Sequence, residues 1–322
     1  MRSLTRVLMP TVAAASLLGI PTPSKSQEDL VARCAMRGAS QTRCTELSLT
    51  ARSLQGQIGL LAGLGSEVSG SAGTLGRRLG TTPRVSVGAR AAFASVHLPD
   101  LADQGIEPSR EAGFIVPALH VGGAVGLIDG IQLKPTVGGF LSVDLLAQAS
   151  VLFLPTGEGF DGKSTGYSLG ARVGILRESF TLPGIAVSLS RRSVGTVLYG
   201  DAQGAGGGSV EVSPTVMSVR MTVGKDILSV GVLAGFGWDR YSGAASISAA
   251  TEGGGVASEA DSSFEHSQRL IFGGAAINFL ILQLSAEVGW AGGFDAFPGY
   301  YGGQFDPTAG ASYGSVAFRI TI

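Results

Sequence analysis

The chain has 322 residues, a formal net charge of −1 at pH 7, 15% charged residues, 50 glycines and two cysteines. A balance this close to neutral excludes a protein built to bind nucleic acid or another polyanion. So low a charged fraction, against about 25% in soluble domains, calls for either a large core or a lipid-facing surface. Beyond the N-terminus no stretch of about 18 apolar residues occurs, which excludes helical membrane spans and leaves a β-barrel open.

Residues 1–26 read as a signal peptide. Arg2 and Arg6 precede an apolar run over 7–20, and the small Ser24 and Ser26 suit cleavage before Gln27. In an oxidising compartment Cys34 and Cys44 are expected to form a local disulfide, since their spacing is not that of a C-x-x-C motif. Residues 27–60 carry helix formers with Glu28 and Asp29 at the start. Residues 57–80 are rich in Gly and Ser. They suit a linker, or a segment packed inside something, where glycine lets backbones approach. Residues 27–82 are therefore expected to be a helical and Gly-rich segment, in the periplasm or plugging a barrel.

From residue 83 the texture changes to two-residue alternation. Ten segments show it: 84–96, 114–127, 136–153, 167–176, 185–199, 210–223, 227–241, 264–279, 282–291 and the C-terminal stretch. In the third, Leu145, Ala147 and Ala149 oppose Asp144, Gln148 and Ser150. Asp129-Gly130 reads as a tight hairpin turn. Adjacent Arg191 and Arg192 break the alternation, which a β-bulge would repair. Spacers alternate short and long, with the short ones after strands two, four, six and eight. The pattern predicts an all-β fold over 83–322: a closed, antiparallel, up-and-down transmembrane β-barrel of about ten strands in the bacterial outer membrane. A secreted sandwich would use shorter strands. It would also not gather aromatics near strand ends, as Phe93, Phe153, Tyr167, Tyr199, Trp238, Tyr241 and Trp290 do. The last strand is expected to pair with the first, leaving no edge.

The final strand, with Gly314, Phe318, Ile320 and Ile322, resembles the C-terminal signal read by outer-membrane assembly machinery, although it ends on Ile rather than an aromatic. The order of signal peptide, Gly-rich segment (Gly73-Thr-Leu-Gly-Arg-Arg-Leu-Gly80) and barrel resembles the family that transports long-chain fatty acids and other hydrophobic compounds. That family's barrels are longer, with fourteen strands, and its N-terminal hatch has no residue-by-residue match here. The resemblance implies a lipid-embedded barrel, assembled by that machinery and plugged by its N-terminal segment. It also implies uptake of a small hydrophobic ligand.

On the inward faces the alternation places Arg90, His120, Asp144, Arg172, Arg192, Arg220, Asp239, Arg269, Glu287 and Arg319. Charges in a narrow lumen must pair, so a packed network is the plain expectation. An Arg-lined conduit preferring anions is the sharper one. The last loop gathers Phe294, Phe297, Tyr300, Tyr301 and Phe305, a candidate capture site for an apolar ligand. His97 near Asp100 and Asp103, and His266 beside Glu265, are expected at the outer rim, where a His–carboxylate pair could activate water. No serine lies in a nucleophile motif, and no residue cluster has metal-ligand or nucleotide-binding spacing, so no cofactor is expected. The sequence favours a non-enzymatic barrel for passive uptake. The alternatives are a structural or surface-binding barrel with a packed lumen, and an outer-membrane hydrolase using the rim histidines and carboxylates.

Overall fold

The computed structural model describes residues 25–78, 82–101, 110–132, 139–179, 182–203, 207–251, 258–293 and 305–322. The signal-peptide run lies outside them. Ten long strands alternate in direction. They are β1 (Val85–Pro99), β2 (Glu111–Ile128), β3 (Ser142–Phe153), β4 (Lys163–Leu176), β5 (Gly184–Val194), β6 (Gly208–Ile227), β7 (Val230–Ala249), β8 (His266–Phe279), β9 (Leu282–Ala291) and β10 (Ala311–Thr321). Each pairs antiparallel with the next. β10 pairs with β1 from Tyr313↔Ala94 to Thr321↔Ser86. Val85 and Ile322 then exchange N–H···O bonds of 2.9 and 2.8 Å. The sheet closes on itself, and the bare final strand has its partner.

The alternation sorts side chains inside out relative to a soluble protein. Val87, Leu119, Leu145, Leu169, Leu189, Val232, Leu284 and Phe318 point outward and are exposed, whereas Arg172, Arg192, Arg220, Asp144 and Asp239 are at most 2% exposed. In water this arrangement would expose the apolar wall and bury the charges. In lipid it satisfies both, so the wall is that of a membrane-spanning barrel of the outer-membrane type. Phe93, Phe153, Tyr167 and Trp290 join the outward face, but Tyr199 and Tyr241 turn into the lumen at 3% and 0% exposure.

Two local expectations need correction. The alternation runs unbroken through Arg191, which faces outward, and Arg192, which faces inward. The irregularity comes later. Ser193 pairs with Thr215 and Val197 with Val212, so four steps on one strand oppose three on the other at Gly195–Thr196. Asp129-Gly130 is not a two-residue turn either. β2 and β3 continue irregularly to an Ile131↔Phe140 bridge. Gly130, at φ 76°, swings the chain so that Asp129 accepts from the Arg77 N–H.

Helices α1 (Lys25–Met36) and α2 (Gln41–Leu61) precede the barrel, joined by a Cys34–Cys44 disulfide with Cα atoms 5.8 Å apart. Ser40 caps α2, its hydroxyl accepting from the Arg43 N–H at 3.2 Å. From Leu47 to Leu61 almost every residue of α2 is buried, including the small Ser48, Ala51, Ser53, Gly56 and Gly59. A helix buried on all sides is enclosed rather than laid on a surface, and small residues let it fit inside ten strands. Residues 41–76 run down the lumen from the long-loop end to the short-turn end, where the chain enters β1.

Candidate functional site in the plugged lumen

The lumen has two tiers. In the upper one, α2 packs into an apolar layer that includes Val96, Val116, Leu152, Val210, Ile247 and Leu270. Gly59 is required there, because an added Cβ would lie 2.6 Å from the Tyr241 ring. Gln57 registers the helix by accepting from the His97 N–H at 2.7 Å, while the Arg43 guanidinium donates to the Leu101 carbonyl at 2.9 Å.

The lower tier is polar. Below α2 the Gly/Ser-rich strap, residues 62–76, has little apolar content, and the barrel wall grips its backbone. Arg220 forms a bidentate pair with Asp239 and donates to the carbonyls of Gly63 and Gly65, each at 3.3 Å. Arg90 donates to Ser69 Oγ at 2.9 Å and to the carbonyls of Ser66 and Leu64. Glu287 accepts from Ser66 Oγ at 2.7 Å and its N–H at 3.0 Å. Arg172 pairs with Asp144 at 2.8 Å, and Asp144 accepts the Leu75 N–H at 2.9 Å. Arg192 pairs with Glu67 of the strap, which also accepts from Ser190 Oγ at 2.7 Å. Gly65 sits at φ 69°, and a Cβ there would land on the Glu287 carboxylate, so glycine is needed on both counts.

Of the residues read from sequence as lumen charges, Arg90, His120, Asp144, Arg172, Arg192, Arg220, Asp239, Glu287 and Arg319 do face inward. Arg269 does not. It is exposed on the outer wall, where it lies opposite Trp238 on β7 and its carbonyl accepts from the Gly292 N–H at 2.8 Å just past β9. Sequence reasoning missed Glu67. It is the only acid between Glu46 and Asp100, a lone charge in a Gly/Ser run and thus a signal that could have been read. In the lower tier five arginines (Arg90, Arg172, Arg192, Arg220, Arg319) face four carboxylates (Glu67, Asp144, Asp239, Glu287). Each carboxylate is already engaged.

Of the proposed capture loop, Phe294, Phe297, Tyr300 and Tyr301 lie outside the described residues. Phe305 is 3% exposed and clusters with Leu49 of α2. It therefore holds the plug rather than lining an open concavity. The neighbouring Asp306 accepts from the N–H and hydroxyl of Thr308 at 2.8 and 2.7 Å, which holds its carboxyl below the usual carboxylate range.

The histidines part company. His97 Nδ1 lies 2.6 Å from Glu111 Oε1 at the long-loop end, both about one-third exposed. Its partner is the carboxylate across the strand pair rather than Asp100, and Asp103 lies outside the described residues. His266 is not at the rim. It is 4% exposed and stacks on Tyr241 at 4.8 Å, while Glu265 points outward to Arg240 at 2.7 Å.

Neither a family model nor a curated protein matches the chain. Among solved structures, the chain is similar to the translocator domain of the autotransporter NalP from Neisseria meningitidis. The identity is 14%, over 85% of this chain and 99% of that one, with a TM-score of 0.43. It is also similar to the outer membrane protease OmpT from Escherichia coli, at 11% identity over 74% and 96% of the two chains, with a TM-score of 0.35. A deletion mutant of the monoaromatic hydrocarbon channel TodX matches at 10% identity over 74% and 89%, with a TM-score of 0.32. These are likenesses of general barrel architecture.

Proposed function

We propose that the protein is a non-enzymatic outer-membrane barrel for passive uptake of a small hydrophobic compound, with the strap over residues 62–76 as its gate. The observation that carries this reading is an apolar groove of about 500 Å³ on the lipid-facing wall, within the size range of ligand pockets. Register explains the groove. Val87, Gly123, Ala147 and Leu169 lie side by side across β1 to β4, so two small residues sit between two large ones. Its floor (Ser86, Gly123, Ala124, Leu146, Ala147) is also the wall of a cavity inside the lumen. A compound dissolved in the leaflet beside the short-turn half of the barrel would meet the wall at these small residues. The strap behind it is held by polar contacts that water can replace at a net loss of about 0.5–1.5 kcal/mol each. An apolar plug offers no such exchange. Filling the groove with Ala147→Phe, which points outward, is expected to lower the uptake of a hydrophobic probe into proteoliposomes at least about fivefold, with the barrel still folded. Unchanged uptake would overturn this reading.

The engagement of every lower-tier carboxylate favours a second reading, a structural or surface-binding barrel with a permanently packed lumen. The two differ in one readout, because a permanent plug gives no uptake at all, in wild type or variant.

A further inference from the structure

We propose that the lumen cavity beside Arg319 is a binding site for one small inorganic anion of halide size. The cavity arises from a row of inward positions that strand register sets side by side: Arg319 on β10, Gly88 on β1, Gly122 on β2, Gln148 on β3 and Ser168 on β4. Strands lie about 4.8 Å apart, and the two central glycines present bare backbone. Arg319 and Gln148 thus face one another across an unfilled floor. Arg90 and His120 form the side toward the plug, and the space between measures about 50 Å³.

None of the acceptors that line that space reaches Arg319 Nε or Nη1. Arg319 Nε and Nη1 are buried with no hydrogen-bond partner, unlike the other four arginines of the lower tier, which are all engaged. The four lower-tier carboxylates have their own partners. Among the described residues no carboxylate, Asp226 at the short-turn end included, forms an ion pair with Arg319. Glu67 also borders the cavity, but its Oε1 is held by Arg192 and Ser190.

The second donor is His120, 2% exposed, whose Nε2 has no partner. Its tautomer follows from its neighbour. The Gln148 amide nitrogen reaches the Ala62 carbonyl at 3.4 Å and His120 Nδ1 at 3.1 Å. That nitrogen can only donate, so Nδ1 accepts and the ring proton resides on the unpartnered Nε2. The Arg319 guanidinium and the His120 ring both line a volume that holds one or two water-sized particles. Extended organic anions do not fit. A halide neutralises the unmatched fifth arginine and accepts from both donors at once. This inference stands apart from the uptake reading, since a permanently packed barrel would hold the ion equally well.

The test is thermal unfolding of the full chain in detergent, in sodium chloride against sodium gluconate at equal ionic strength, gluconate being too large for the cavity. Chloride is expected to raise the midpoint by about 2–4 °C. Arg319→Gln should remove that increment, whereas Arg191→Gln, on the outer wall, should keep it. Independently of any variant, crystals soaked in bromide should show anomalous density between Arg319 and His120. Equal midpoints in the two salts, absence of that density, or an increment that survives Arg319→Gln would each overturn the proposal.

Discussion

At the scale of single residues, the lower tier turns on matched charges removed from water. Arg220 and Asp239 are both fully buried and bidentate. Removing one partner strands the other, a loss of about 3–5 kcal/mol. Asp239→Ala is therefore expected to lower stability by that amount, measured as the urea midpoint of the folded band in semi-native gels. The double variant Asp239→Leu with Arg220→Met should recover most of it, because the pair then leaves no unmatched charge. A double variant as unstable as the single one would show that packing, not charge, decides the site. Much of this tier was legible in sequence. Period-two alternation gives each residue's face, and it placed nine of the inward groups. It misplaced Arg269, because the vague pattern of β8 let the side slip by one residue, and a one-residue slip changes faces. It could not pair charges, since partners are set by register and by a strap that has no periodicity.

At the scale of elements, α1 and α2 form a cap tied by Cys34–Cys44, and α2 continues as the upper plug. The disulfide closes a short loop between α1 and the start of α2, so its effect should be local. Cys34→Ser with Cys44→Ser is expected to leave the barrel's unfolding midpoint within about 2 °C of wild type. It should also expose residues 25–40 to protease added from the long-loop side. A large drop in the barrel midpoint would mean that cap and wall unfold as one unit. The helices were visible from their formers and from Glu28 and Asp29 at the start, and the strand count from alternation and spacer length. The fate of the Gly-rich run was not visible, because glycine is as compatible with a linker as with close packing. The grip of Arg90, Arg220 and Glu287 on the strap backbone, and the lack of room for a Cβ at Gly59, Gly63 and Gly65, distinguish the two. Asp129-Gly130 misled for a related reason: the dipeptide marks a positive φ, and here that φ accompanies a contact with Arg77, just past the strap, rather than a hairpin tip.

At the scale of the whole molecule, ten strands close with β10 against β1, an apolar wall faces outward, and one chain segment fills the inside in two tiers of opposite character. The apolar upper tier anchors. The polar lower tier holds by bonds that water can replace, which is the property a gate needs. The two functional readings diverge at this point. A permanently packed barrel has no conducting state with or without its plug in motion, whereas a gated one hides a pore behind the strap. The most direct measurement is planar-bilayer conductance of the intact chain beside a form lacking residues 27–76. The account predicts low, intermittent conductance for the intact protein and steady conductance for the unplugged barrel. Equal, featureless traces from both forms, with the unplugged barrel shown to be folded, would contradict it.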